Sequence, residues 1–150
     1  MSGDGNHGRR ILHVEDNPGD VRLIGEALNE MGRAVEIAVA RDGEEALDYL
    51  YRGGPHINAP RPDLILLDLN LPRKSGREVL AEIKVVPDLK DIPVVVFTSS
   101  SAPSDIRETY GLNANCYITK PSDLDELFRV IGLIERFWLR TVKLPPQLSR

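Results

Sequence analysis

Five short apolar runs punctuate this chain, and each stops at a polar residue just before a helical pattern begins. Residues 10–14, 34–40, 63–67, 92–97 and 114–118 read as strands. Between them, apolar side chains recur at helical spacing. Val21, Ile24, Leu28 and Met31 follow Pro18, a residue suited to a first helical position. Ala46, Leu47 and Leu50 follow a possible cap at Asp42, and Val79, Leu80, Ile83 and Val86 follow Ser75 and Gly76. Residues 103–110 form a polar helix whose apolar content is Ile106 and Tyr110. A last helix opens on Ser122 and Asp125 as a capping box and carries Leu124, Leu127, Phe128, Ile131, Ile134 and Trp138 on one stripe. Strand and helix alternating five times, with strands apolar enough to be buried on both faces, specify an α/β, doubly wound five-stranded parallel sheet.

The 150 residues suit one domain, which would bury roughly 70% of its unfolded surface. Residues 1–9 read as a flexible tail, 10–140 as the domain and 141–150 as a second tail. A formal net charge of -4 argues against a protein that works by neutralising nucleic-acid phosphates. One cysteine excludes an intrachain disulfide. No stretch approaches the ~20 apolar residues of a membrane span, and the N-terminus lacks the apolar core of a signal peptide. The expectation is a cytoplasmic domain bound to neither nucleic acid nor membrane.

In an open parallel sheet, ligands bind beyond the carboxyl ends of the strands, where strand order reverses. The polar residues at those ends are Glu15 and Asp16, Asp68, Thr98 and Lys120. In the flavodoxin-like order 2-1-3-4-5 the first and third strands are neighbours, so three carboxylates converge. Like charges that close repel unless a cation stands among them. Three acids and one ammonium sum to a formal charge of -2 (-3 + 1), which one divalent ion neutralises. Oxygen ligands without His or Cys point to Mg2+ keeping several waters. Such a site suits phosphoryl transfer, with a carboxylate as nucleophile. Asp68, alone at the end of the central strand, is the candidate nucleophile. Glu15 and Asp16 would hold the metal, Lys120 would pair with phosphoryl oxygens, and Thr98 would donate a hydrogen bond.

These residues lie in motifs that resemble the receiver domains of two-component response regulators, from Ile11 to about Trp138. The motifs are Val14-Glu15-Asp16-Asn17, the run Leu66 to Pro72 around Asp68 with Gly76 beyond it, Val96-Phe97-Thr98-Ser99, and Tyr117-Ile118-Thr119-Lys120-Pro121. The resemblance implies that Asp68 accepts a phosphoryl group from a histidine kinase or phosphotransfer protein. It implies Mg2+-dependent self-phosphorylation and autodephosphorylation rather than turnover of a metabolite. It also implies that Asn70 lends its backbone carbonyl to Mg2+, that Lys120-Pro121 is a cis peptide, and that Tyr117 is a switch aromatic that turns inward when Thr98 is drawn to the phosphoryl group. Asn70 and Ser100 occupy positions that tune dephosphorylation in the family. Asn113 replaces a common Gly, a change that Asn's tolerance of positive φ permits. Within the family, Glu15 to Val21, Leu71-Pro72-Arg73-Lys74 and the stretch from Phe128 to Leu139 resemble single-domain regulators paired with phytochrome-type sensor kinases.

Plainer readings stand beside these. Asp16 or Asn17 can cap the first helix, Asp68 can be a turn residue, and Tyr117 an edge-strand aromatic. His13 reads as a core residue and Cys116 as a small buried hydrophobe. Val130, Leu133 and Phe137 form a second apolar cluster on the last helix. Either the tail folds over it, or it is a homodimer surface shared with the fourth helix and fifth strand, the face through which a regulator would signal. From another class, a haloacid-dehalogenase-like phosphatase also uses a strand-end Asp, but it needs a second Asp where Asn70 stands. After residue 140 too little chain follows for a helix-turn-helix.

Overall fold

The computed structural model describes residues 8–32 and 34–146. Its strands are β1 (Arg9–Val14), β2 (Val35–Ala40), β3 (Leu64–Leu67), β4 (Val94–Thr98) and β5 (Cys116–Thr119). Its helices are α1 (Pro18–Glu30), α2 (Gly43–Tyr51), α3 (Gly76–Ile83), α4 (Pro103–Gly111) and α5 (Leu124–Arg136), with a 3-10 turn at Gly54–His56 and a π-helical turn at Phe137–Thr141. The strands form one sheet in the order β2-β1-β3-β4-β5, every pair parallel, as the alternation predicts.

Strand alternation divides the core in two. Leu12, Val14, Ile65, Leu67, Val94 and Val96 face α2 and α3, meeting Ala46, Leu50, Val79, Leu80 and Ile83. Ile11, Leu64, Leu66, Val95 and Phe97 face α1 and α5, meeting Ile24, Ala27, Leu28, Leu127, Ile131 and Ile134. Each such aliphatic side chain contributes about 1.5–3 kcal/mol by leaving water. β3 and β4 are buried along their whole length, so only their carboxyl ends are open to chemistry.

The helix starts are chemically specified. The Asn17 side chain accepts from the Asp20 amide at 3.0 Å with Pro18 behind it, and Asp42 accepts from Glu45 at 2.8 Å. Ser75 and Glu78 form a reciprocal capping box. The start of α5 differs from the sequence reading. Asp123, not Ser122, is the cap, and it accepts the Glu126 amide at 2.9 Å. Leu124, expected in the buried stripe, is the first residue of α5 and 53% exposed; burial on the helix begins at Leu127. β1 begins at Arg9, one residue into the expected tail; residues 1–7 and 147–150 lie outside the described part.

Beyond α5, Leu139 is buried in the α1/α5 core, and the chain continues to Leu144 and Pro145, which line a small cleft with Arg61, Pro62, Asp63, Asp91, Ile92 and Pro93. As far as residue 146, the tail therefore lies against the segments that precede β3 and β4, and its described residues do not cover the second apolar cluster of the last helix. There Leu133 is 44% and Phe137 51% exposed, whereas Val130 packs partly onto the α1/α5 core. His13 is buried, and burial, aided by the Lys120 charge, lowers its pKa to about 4, so it is a neutral core residue. Cys116 is half-buried on the α1/α5 side.

Candidate functional site

The open carboxyl ends of β1, β3, β4 and β5 bring Glu15, Asp68, Thr98 and Lys120 together. Lys120 follows β5, and its backbone amide donates to the Thr98 carbonyl at 2.7 Å, continuing the ladder past the strand. From there its ammonium donates to Glu15 Oε1 at 2.6 Å, Asp20 Oδ2 at 3.0 Å and Asp68 Oδ2 at 3.0 Å. A lysine has three N–H donors, and here each finds a carboxylate. The expected cis peptide is absent: among the described residues every peptide bond is trans, Lys120-Pro121 included. Trans is the favoured X–Pro form by about 0.5–1 kcal/mol, and the ammonium reaches its partners with it.

Asp68 is 7% exposed. Its Oδ1 accepts the Thr98 hydroxyl at 2.9 Å and the Asn70 amide at 3.2 Å. Burial would raise its pKa, but the hydrogen bond and charge of Lys120, with the Thr98 hydroxyl and the Asn70 amide, hold it below the ordinary carboxylate value. Glu15, 1% exposed, shows the opposite balance. Burial pushes it up to about 7 against the pull of Lys120, and the Asp68 charge adds to the rise. Its Oε2 accepts the Asn17 amide at 3.2 Å. Lys120 is held above its ordinary range: its carboxylates outweigh the burial that acts the other way.

Asp16 lies exposed on the rim, outside the circle of acids around Lys120, and Asn70 is exposed at the mouth. Asp20 is the third acid beside the ammonium. Sequence reasoning missed it, although an acid in the first turn of the helix after β1 must lie at the same end of the sheet. Among the described residues no group of three or more His, Cys, Asp and Glu side chains is spaced to hold a metal ion, because Lys120 stands between Glu15, Asp20 and Asp68. The donor chemistry nevertheless fits a hard cation: apart from the Lys120 ammonium the groups at the mouth offer oxygen, and burial, with the Asp68 charge, raises the Glu15 pKa to about 7.

Two glycines hold the loops around Asp68. A Cβ on Gly76 would stand 2.2 Å from the Asp68 carbonyl oxygen, and one on Gly43 would stand 2.0 Å from that of Lys74. On the other side, Tyr117 is half-buried, and its hydroxyl donates to the Ser100 carbonyl at 2.8 Å. The Thr98 bond to Asp68 and the Tyr117 bond to the Ser100 carbonyl thus occur together.

Residues 11–132 match the response regulator receiver domain family. The chain is 51% identical over 145 residues to response regulator Rcp1 of Synechocystis sp., covering 97% of this chain and 99% of that protein. Its fold superposes on the crystal structure of the phosphorylated cyanobacterial phytochrome response regulator RcpA with a TM-score of 0.90 and 54% identity, covering 93% of this chain and all (100%) of that one. The Mn2+-bound form of Rcp1 gives a TM-score of 0.87 at 51% identity, covering 92% and 99%. A strand-end aspartate beneath a lysine, a threonine hydroxyl on its other oxygen, and this agreement over nearly the whole length place the phosphatase alternative aside: the chain belongs to the response regulator receiver domain family.

Proposed function

We propose that this protein is a response regulator of a two-component phosphorelay, which accepts a phosphoryl group on Asp68 from the phosphohistidine of a sensor kinase. The observation that carries the reading is the asymmetric setting of the Asp68 carboxylate, with Lys120 on one oxygen and Thr98 and the Asn70 amide on the other. Its lowered pKa keeps Asp68 ionised and nucleophilic. An oxygen of Asp68 attacks phosphorus, the P–N bond breaks, and the electron pair leaves with the imidazole, which takes a proton from water. Lys120 and Thr98 then bind the transferred phosphoryl oxygens, so catalysis is mostly positioning and charge neutralisation.

Glu15, Asp16, Asp68 and the Asn70 carbonyl would hold Mg2+, by analogy with the Mn2+-bound relative. When bound, the ion neutralises charge on the phosphoryl group. The likeness to RcpA, a cyanobacterial phytochrome response regulator, supports a phytochrome-type kinase as partner, and membership of the receiver domain family supports a cytoplasmic setting. The signal leaves through the α4-β5-α5 face, to which Tyr117 belongs and where the exposed Leu133 and Phe137 support a homodimer.

Incubation with acetyl phosphate, followed by intact-mass measurement, tests the assignment. Wild type should gain one phosphoryl group in Mg2+ and none in chelator, and Asp68→Asn should gain none. Equal labelling of Asp68→Asn would overturn it.

A further inference from the structure

Arg77 sits in the first turn of α3, immediately after the glycine that rests on the Asp68 carbonyl. From there its guanidinium crosses to α4, donating to Asp105 Oδ1 and, through Nε, to Glu108 Oε1 at 2.6 Å. The other Asp105 oxygen accepts the Ser100 hydroxyl at 2.5 Å. The Ser100 carbonyl accepts the hydroxyls of Tyr117 at 2.8 Å and Thr119 at 3.4 Å. Ser100 follows Thr98 by two residues, and Thr98 bonds Asp68. These contacts close a ring from Asp68 through Gly76, Arg77, Asp105, Ser100 and Thr98 back to Asp68, with Tyr117 attached at Ser100.

The ring matters because little else anchors the start of α4. Its cap position is Ala102, which offers no side-chain hydrogen bond, and Thr109 near the other end is the one buried residue of the helix. Polar contacts therefore set where the first turn lies. The planar fork of arginine meets the two carboxylates in a fixed geometry, so it orients them as a freely rotating ammonium does not.

We propose that Arg77 is a positioning residue for the phosphoacceptor: by gripping Asp105 it holds the Ser100 loop, and so keeps Thr98 on Asp68 and the Tyr117 hydroxyl on the Ser100 carbonyl before a phosphoryl group arrives. The effect on phosphorylation rests on the reading of Asp68 given above; the effect on Tyr117 does not. Part-exposed ion pairs add little to global stability, yet the same small energy biases a two-state loop appreciably.

The test uses the full chain labelled with 3-fluorotyrosine, with the Tyr117 fluorine resonance assigned from Tyr117→Phe. Without phosphodonor, Arg77→Ala should shift or split the Tyr117 resonance. With acetyl phosphate and Mg2+ it should be phosphorylated roughly fivefold more slowly than wild type. Arg77→Gln, which keeps part of the stem and a polar end but no charge, should do the same, and a thermal melt shows that each variant is folded. In a Ser100→Ala background, where the link is already cut, Arg77→Ala should change neither reading further. A merely stabilising ion pair would lower the melting point equally in both backgrounds and leave the resonance in place. An unmoved Tyr117 resonance overturns the proposal, and so does a moved resonance with an unchanged phosphorylation rate. If wild type takes no phosphoryl group, the Asp68 reading fails, and the resonance alone decides whether Arg77 governs Tyr117.

Discussion

Lys120 is one cation shared by Glu15, Asp20 and Asp68, and its neighbours divide by environment. Asp68 keeps enough donors to stay ionised; Glu15, more deeply buried, is pushed to about 7 from an ordinary 4.5. The folded chain therefore binds a proton that the unfolded chain has lost, so Glu15 costs stability as pH rises through that window. A divalent ion must displace the same proton. Calorimetric titration with Mg2+ should show affinity falling as pH drops below about 7, by up to about tenfold per pH unit, and Glu15→Gln should bind more weakly with a flatter profile. A profile in Glu15→Gln as steep as wild type would assign the proton elsewhere. Glu15, Asp68, Thr98 and Lys120 were legible from the chain because each ends an apolar run. Asp20 was not, since a first-turn acid usually serves only the helix dipole. That Asp16 would lie outside the ammonium's circle was equally hidden: it depends on which way the chain turns after Val14.

At the scale of elements, the loop after β3 is fastened to α2. Arg73 adopts a left-handed backbone (φ 68), with its Nε 3.0 Å from Glu44 and 3.5 Å from Asp42. The Lys74 carbonyl lies where a side chain on Gly43 would be. Gly43→Ala should therefore force the loop and α2 apart and cost about 1–3 kcal/mol in urea unfolding. Gly53→Ala, whose new methyl would meet nothing nearer than 3.9 Å, should leave stability nearly unchanged. Equal effects would show that the Gly43 contact relaxes freely. The five strands and helices were readable because burial on two faces and on one stripe leaves different periodicities. Ends were harder. Ala114 is buried and so resembled a strand residue, but Asn113 turns the chain at φ 73 and β5 starts only at Cys116. The turn at Phe137–Thr141 continues the helical pattern in composition while winding more widely, and so was read as part of α5.

At the scale of the whole molecule, Leu133 on α5 and Phe137 in the turn that follows it form an exposed apolar pair. Phe137 adds an edge-to-face contact with Trp138 at 5.3 Å, which fixes its ring. Sedimentation should find wild type dimeric and Phe137→Glu shifted toward monomer; a monomeric wild type would remove this face as a dimer surface. The topology itself sets when the protein becomes competent. Lys120 lies 105, 100 and 52 positions from Glu15, Asp20 and Asp68. Synthesis proceeds from the amino end, so a nascent chain displays all three acids long before their cation emerges. Closing those loops is among the slowest entropic steps the fold demands. A half-made chain can thus bury β1 beside β3 and still lack the ammonium that readies Asp68. On the proposed function, the site is therefore complete only once β5 and Lys120 have emerged, after all three acids.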